Sequence, residues 1–250
     1  MKLATTIDEV ITLLDFIIAN EIKNGSNLAF FPILYRKVTL RIQSGILANE
    51  FENNARMEIL DVLFANRYLE AYHLYKVRKN TTKSWVYAFQ SGPNSKLLIM
   101  QQLLLGINAH INLDLGIAVS ETIGVQGDLN DFENDFNKIN EILADMVADV
   151  EERISKVSPM FLLLDKVGKG KEDKLVSFSI NVARDGAWLF ANQYHSTTDK
   201  AQVIDLRDEI IAALAVKLTT TKSRWLRYVI RIIRFFEMKN VAKVSEMLAK

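Results

Sequence analysis

A histidine and an aspartate near the middle of the chain carry the clearest chemical pattern. In the segment Asn108-Ala-His-Ile-Asn-Leu-Asp114, His110 and Asp114 are four residues apart. On an α-helix this spacing places both side chains on one face, with about 6 Å between their Cβ atoms. A carboxylate at that distance can orient an imidazole and support its charge. The spacing therefore predicts a general acid–base pair.

Asn108 and Asn112 repeat this spacing on a different face of the same segment. An unpaired buried amide costs about 1–3 kcal/mol, so both side chains must find hydrogen-bond partners. Two interpretations stay open. The amides either join neighbouring helices or bind a substrate.

Asp61 is a second candidate, because its apolar neighbours in the sequence indicate a buried carboxylate. It could act as a second acid or base, or pair with an arginine such as Arg67. Tyr68 shares the helical stripe of Asp61 and Asn66 lies on another, and both are candidate substrate contacts. Tyr35 is either a further ligand contact or the donor of an ordinary interhelical hydrogen bond.

Arg184 and Trp188 form a third candidate, one helical turn apart. Arg184 could present its planar guanidinium to an anionic ligand, and Trp188 would then contact the same molecule. The alternative is a stack of the guanidinium on the indole at the protein surface.

Absent residue types and motifs narrow the chemistry. The chain has no cysteine and three histidines, so a metal site would have to recruit carboxylates, with His110, Asp114 and Asp61 as candidate ligands. The sequence contains no phosphate-binding loop, dinucleotide fingerprint, nucleophile elbow or His-Glu-x-x-His motif. No motif requires a cofactor, although a divalent metal could assist.

These residues predict an enzyme for a small, partly apolar molecule. The chemistry would be non-redox, of the isomerase, cyclase or hydrolase type, with His110 and Asp114 as the acid–base pair. The alternative is a non-catalytic binding or scaffold protein in which the polar stripes only specify packing and a basic C-terminal helix contacts anionic lipid or an acidic partner.

The elements that hold these residues are predicted to be helices throughout. Capping residues, prolines and three- and four-residue apolar spacing indicate about ten helices in an irregular bundle around a central apolar helix at about 96–122. No pair of alternating strands with a hairpin turn occurs. The predicted helices cover residues 6–23, 32–51, 54–77, 82–90, 96–122, 131–156, 159–167, 174–194, 199–218, 223–236 and 241–249.

Composition bounds the class of protein. A chain of 250 residues with 49% hydrophobic and 24% charged residues predicts one helical domain over 1–250 and excludes a disordered chain. Asp8, Glu9 and Asp15 interrupt the first apolar run, so we predict no secretory signal and a cytoplasmic protein. A net charge of +1 gives no global argument for nucleic acid. Polar residues within 96–122 favour a buried helix over a membrane span.

Residues 222–250 differ in charge from the rest of the chain. They hold eight Lys or Arg against two Glu, a net +6 that leaves the first 221 residues at −5. Within residues 222–236, arginines recur at three- and four-residue spacing opposite apolar side chains, which predicts a basic amphipathic helix packed on or appended to the domain. It could contact an anionic membrane, form a solvated face, or pair with an acidic helix bearing Asp145, Asp149 and Glu152.

Four segments also resemble, in order, an uncharacterised bacterial family known as domain of unknown function 5995. They are Met57 to Tyr68, Leu104 to Leu115, Asp135 to Asn140 and Ala183 to Trp188, and the resemblance spans roughly Phe31 to Asn192. The resemblance implies no activity, but its pattern includes many of the residues named above. Its signature positions are Asp61, Asn66, Tyr68, Asn108, His110, Asn112, Asp114, Asp135, Asn140, Arg184 and Trp188.

Overall fold

The computed structural model describes residues 2–92, 96–161, 163–164 and 178–250. These residues form ten α-helices and no strand, which confirms the predicted all-α class. The helices are α1 (Ile7–Lys23), α2 (Phe30–Leu47), α3 (Asn54–Lys76), α4 (Lys83–Ser91), α5 (Ile99–Ile123), α6 (Glu133–Val157), α7 (Ile180–Ser196), α8 (Lys200–Thr219), α9 (Arg224–Phe236) and α10 (Val241–Ala249).

Side-chain caps set most of the helix starts. The Thr6 hydroxyl accepts from the Glu9 amide and caps α1, and the Glu9 carboxylate accepts from the amide and hydroxyl of Thr5. The Asn53 side chain accepts from the Arg56 amide and caps α3. The helix predicted over 159–167 lies partly outside the described residues. The predicted start of α7 at 174 lies wholly outside them.

Helix α2 begins and ends earlier than predicted. It starts at Phe30, because Pro32 fits anywhere in the first turn, where backbone N–H groups have no intrahelical acceptor. It ends at Leu47 rather than near 51, because Asn49 adopts a positive φ of 55°. The left-handed conformation at Asn49 turns the chain toward α3.

Helix α5 is the predicted central helix. It is long and apolar enough to cross a membrane by length and composition, but 89% of its most apolar window is buried inside this protein. It packs against α2, α3, α4, α7 and α8. Its middle turn, His110–Asp114, is a π-helical turn that the sequence did not predict.

The C-terminal helices lie against the body of the bundle. Leu226, Val229 and Ile233 of α9 join a hydrophobic cluster with Leu104 of α5, and α10 packs on α1, α2 and α6. Between α9 and α10, the buried Glu237 carboxylate accepts from the Ile99 amide at 3.1 Å and from the Ser158 hydroxyl at 2.8 Å. This contact ties the C-terminal segment to the start of α5.

Candidate functional site

A cavity of about 400 Å³ lies between α2, α3, α5, α6 and the start of α7. Most of its wall consists of Leu, Ile, Val, Met and Phe side chains. This volume is within the range of small-molecule sites, and an apolar wall with a few polar groups is typical of them. The polar groups of the wall therefore decide what the cavity could bind.

Four polar side chains of the wall are buried and incompletely paired. Tyr35 Oη, Asp61 Oδ2, His110 Nε2 and Arg184 Nε make no hydrogen bond within the described part of the chain. The hydroxyl of Thr39, one turn along α2, interacts with Tyr35 but not in hydrogen-bond geometry. Each unpaired buried group costs about 1–3 kcal/mol, and a bound molecule could recover that free energy.

His110 is held firmly in the cavity wall. Its Nδ1 lies 3.1 Å from Asp114 Oδ2, so the predicted contact between the two residues is present. The imidazole stacks on Phe64 with 3.6 Å between ring centroids. The ring of Tyr35 lies at 78° to the imidazole, with 4.6 Å between their centroids. Burial lowers the pKa of His110, although Asp114 partly opposes that effect. The ring is therefore neutral at pH 7, with Nδ1–H donating to Asp114 and a lone pair on Nε2.

Asp114 lies behind His110 and is fixed by two further donors. Trp85 Nε1 donates to Asp114 Oδ2 at 2.8 Å, and Arg67 Nε donates to Oδ1 at 3.3 Å. Sequence reasoning had considered Arg67 as a partner of Asp61, and it missed Trp85. No local spacing signals either contact, because Arg67 and Trp85 come from α3 and α4.

The π-helical turn that carries both residues is anchored from outside. A π-turn leaves backbone groups without their usual intrahelical partners, and such turns often occur at functional sites. Arg207 of α8 donates to the Asn112 carbonyl at 2.9 Å and to the Gly186 carbonyl at 3.2 Å. Arg207 thus joins the π-turn to α7 and fixes the backbone beneath His110.

Asp61 faces the cavity from α3. It is 6% exposed, and burial raises its pKa to about 7, with a smaller contribution from Glu58. Near neutral pH the carboxyl group is therefore present in both protonated and ionised forms. The arginine partner that the sequence left open for Asp61 is not found among the described residues.

Arg184 reaches the cavity wall from α7. It is 1% exposed, its Nη2 donates to the Phe136 carbonyl at 2.9 Å, and its guanidinium lies 4.5 Å from the centroid of the Phe136 ring. Burial lowers its pKa to about 9. Trp188 packs on Phe136 as well, at 4.8 Å between centroids, so Phe136 and not Trp188 is the aromatic partner of Arg184.

The two asparagines of α5 lie on a face away from the cavity. Asn108 Nδ2 donates to the Ile211 carbonyl at 3.0 Å, and Asn112 Nδ2 donates to Asn108 Oδ1 at 3.1 Å. These bonds join α5 to α8 and match the packing interpretation of the asparagine stripe.

Three other candidate residues also lie outside the cavity lining. Asn66 binds the backbone N–H and carbonyl of Ala4, each at 2.9 Å. Tyr68 belongs to the aromatic cluster around His110, with 6.2 Å between their ring centroids. Trp188 packs on α6, as described above. The structure thus brings Tyr35, Asp61, His110 and Arg184 together and places the remaining candidate substrate contacts elsewhere.

The predicted metal ligands do not form a metal site. In the described ranges, no group of three His, Asp or Glu side chains is arranged to hold an ion. The Asp114 carboxylate already faces the indole of Trp85, the guanidinium of Arg67 and the imidazole of His110. His110, Asp114 and Asp61 therefore do not form the trio that metal-assisted hydrolysis would need.

Fold and site together define a class: an all-α protein with an apolar interhelical cavity, in whose wall several buried polar side chains have an atom without a hydrogen-bond partner among the described residues. The chain belongs to the Family of unknown function (DUF5995), whose model matches residues 7–221. That match includes every residue lining the cavity and ends before α9. No curated protein and no solved structure matches the chain.

Asp135, one of the positions on which the sequence resemblance rests, has a structural role in this protein. Its carboxylate accepts from the Glu52 amide at 2.7 Å, from the Asn53 amide at 3.2 Å and from the Arg56 guanidinium at 3.2 Å. Asp135 thus ties α6 to the loop before α3.

Proposed function

We propose that this protein is an enzyme that performs acid–base chemistry on a small, largely apolar molecule bound in the cavity. The observation that carries the proposal is the convergence of Tyr35 Oη, Asp61 Oδ2 and His110 Nε2 on one apolar cavity, each without a hydrogen-bond partner among the described residues. A buried polar atom without a partner is uncommon in a folded protein and calls for an explanation. A ligand that engages all three atoms supplies one.

His110 is the proposed base. Asp114 holds the Nδ1–H, so Nε2 is the nitrogen left for a bound molecule. A neutral imidazole with an oriented ring accepts a proton, and the Asp114 carboxylate stabilises the imidazolium that forms. Because Trp85 and Arg67 fix Asp114, the base needs no reorganisation during the reaction.

Asp61 is the proposed acid, and Tyr35 is the proposed hydrogen-bond donor. With a pKa of about 7, Asp61 is available in its protonated form at neutral pH. Burial raises the pKa of Tyr35 well above its usual value, so its hydroxyl stays protonated and can donate to a substrate oxygen. A base and an acid whose environments shift their pKa values in opposite directions form the pattern of an acid–base site.

The simplest reaction that these residues could catalyse without a co-reactant is the isomerisation of a β,γ-unsaturated ketone. His110 takes a proton from the carbon between the carbonyl and the double bond, while Asp61 gives its proton to the carbonyl oxygen. The dienol then returns the oxygen proton to Asp61 and accepts the proton of His110 at its far carbon. The double bond has moved, and both residues are back in their starting forms without a co-reactant.

The position of Arg184 leads us to propose that the substrate also carries an anionic group. Its guanidinium is buried in the same wall, and no carboxylate in the described part of the chain forms an ion pair with it. An unpaired buried cation is costly, and a carboxylate or phosphate on the ligand would compensate it. The proposed substrate is therefore an apolar oxo acid.

The proposal can be tested with a simple probe, 4-oxodecanoate in D2O. NMR monitors the exchange of the protons on the carbon atoms next to the ketone. We expect the protein to accelerate exchange and His110→Gln and Asp61→Asn to lower the rate by about 100-fold or more. His73→Gln, on the same helix as Asp61 but outside the cavity, is the matched control and should exchange normally.

Binding measured on the same samples separates the two classes of function. Binding of 4-oxodecanoate without any catalysed exchange would contradict the enzyme and favour a non-catalytic binding protein. Failure of the probe to bind would contradict the proposed substrate class.

A further inference from the structure

Helix α9 has two very different faces. Its inner face, Leu226, Val229 and Ile233, is buried against the bundle. Its outer face carries large aromatic side chains that are unusually exposed. They are Trp225 at 57%, Tyr228 at 56%, Phe235 at 76% and Phe236 at 56% exposure. Exposed aromatic residues at both ends of one helix point to a surface that is covered when the protein functions.

The same outer face carries uncompensated positive charge. Arg224, Arg227 and Arg231 are exposed, and none of them forms an ion pair with a described residue. Two of the acidic residues of α6 that could have paired with them have other partners, since Asp149 binds Lys37 and Arg153 and Glu152 binds Lys156. The charge of α9 is thus available to an external anion.

We propose that the outer face of α9 binds the surface of an anionic lipid membrane, with the helix lying parallel to it. Interfacial helices combine basic side chains, which meet anionic headgroups, with Trp, Tyr and Phe, which enter the boundary between headgroups and acyl chains. The aromatic pairs Trp225 with Tyr228 and Phe235 with Phe236 lie at the two ends of α9, so both ends can be anchored at once.

Other occupants fit this face less well. A second copy of the chain related by a twofold axis would bring the same three arginines against each other, which costs free energy. An acidic protein would pair with the arginines. However, the exposed aromatic residues lie at both ends of one convex helix. A membrane interface can accept both ends at once, whereas a protein partner would need a separate pocket for each. A membrane supplies negative charge and apolar depth together.

The membrane proposal is independent of the proposed enzyme. The residues of the outer face lie beyond 221, where the family match ends, and none of them lines the cavity. The inner face of α9 does share a hydrophobic cluster with Leu104, which is also part of the cavity wall. A docked protein would therefore hold its apolar cavity close to the lipid surface.

Vesicle co-sedimentation tests the proposal on the full chain. We expect binding at low ionic strength to vesicles of phosphatidylcholine with 30% phosphatidylglycerol, and weak binding to phosphatidylcholine alone. The triple variant R224Q/R227Q/R231Q should lower partitioning about 100-fold, because each basic residue near an anionic surface contributes roughly fivefold. The variant K23Q/K79Q/K217Q removes three exposed charges elsewhere and should bind as the parent does.

Fluorescence gives a second readout at the proposed surface. Of the three tryptophans, Trp85 is 1% exposed and Trp188 is half-buried, so Trp225 should dominate any response to lipid. We expect a blue shift on adding anionic vesicles, and its loss in W225F. These substitutions are on exposed positions, and circular dichroism checks that the fold is intact.

Three results would overturn the proposal. The first is no binding to anionic vesicles at low salt. The second is an equal loss of binding in K23Q/K79Q/K217Q, which would indicate a general charge effect. The third is binding of single-stranded DNA that depends on the same arginines while vesicles are ignored.

Discussion

Buried aspartates occur in two kinds of surroundings in this protein. Asp208 of α8, which is 4% exposed, accepts from the Lys83 amide at 2.5 Å, from the Ser84 amide at 3.0 Å and from the Ser84 hydroxyl at 2.6 Å. Asp61, almost equally buried, faces a cavity, and its Oδ2 has no hydrogen-bond partner in the part of the chain that the structure describes. The first carboxylate starts helix α4 and joins it to α8; the second contributes nothing comparable to packing. The contrast supports the proposed role of Asp61 in binding a ligand, as opposed to a role in holding the fold together.

The largest expected difference between the two aspartates is in how stability depends on pH. The folded-state pKa of Asp61 is raised to about 7 from 3.8, so its contribution to stability is fully present below pH 4 and lost as pH rises to 7. The total loss is on the order of 4 kcal/mol at 1.36 kcal/mol per pKa unit. Asp61→Asn should remove this part of the pH dependence. Urea unfolding of both proteins from pH 4 to 8 measures it, and parallel curves would contradict the account.

Removing Asp208 should have the next largest effect. Asp208→Ala leaves two backbone amides and one hydroxyl at the start of α4 without an acceptor, and we expect a loss of about 3 kcal/mol at pH 7. Thermal or urea unfolding would show this loss. A change below about 0.5 kcal/mol would mean that the bonds to Asp208 do not hold α4, and the comparison with Asp61 would fail.

Replacing Arg184 should affect stability in the way that replacing Asp61 does, and unlike the replacement of Asp208. Arg184→Met keeps the length of the side chain and removes a buried charge that has no ion-pair partner among the described residues, so we expect stability to rise by about 1 kcal/mol. Binding of 4-oxodecanoate should weaken in the same variant. Clear destabilisation would show that the contacts of Arg184 with Phe136 matter more than its unpaired charge.

The helices could be predicted well from the sequence, because their signals are local. Capping residues, prolines and regular apolar spacing indicated all ten described helices. The predictions were wrong where a single backbone conformation ends a helix, as at Asn49. They were also wrong where a contact from another helix determines the local structure, as at the π-turn that Arg207 anchors.

The site could be predicted only in part. The contact of His110 with Asp114 depends on one helical turn and was predicted. The convergence of Tyr35, Asp61 and Arg184 depends on how α2, α3 and α7 pack around α5, which no local pattern encodes. For the same reason, the asparagine stripe and the cavity stripe could not be told apart until the structure placed Asn108 against α8.

The most direct test of the central claim is a titration of the three histidines in protein labelled with 15N at the imidazole nitrogens. We expect His110 to titrate below 6.5 and to be neutral at pH 7, with the proton on Nδ1. Adding 4-oxodecanoate should shift the Nε2 resonance of His110 and leave His73 and His195 unchanged. A His110 that titrates above 6.5, or whose Nε2 resonance ignores the probe, would contradict the claim that the cavity is an acid–base site.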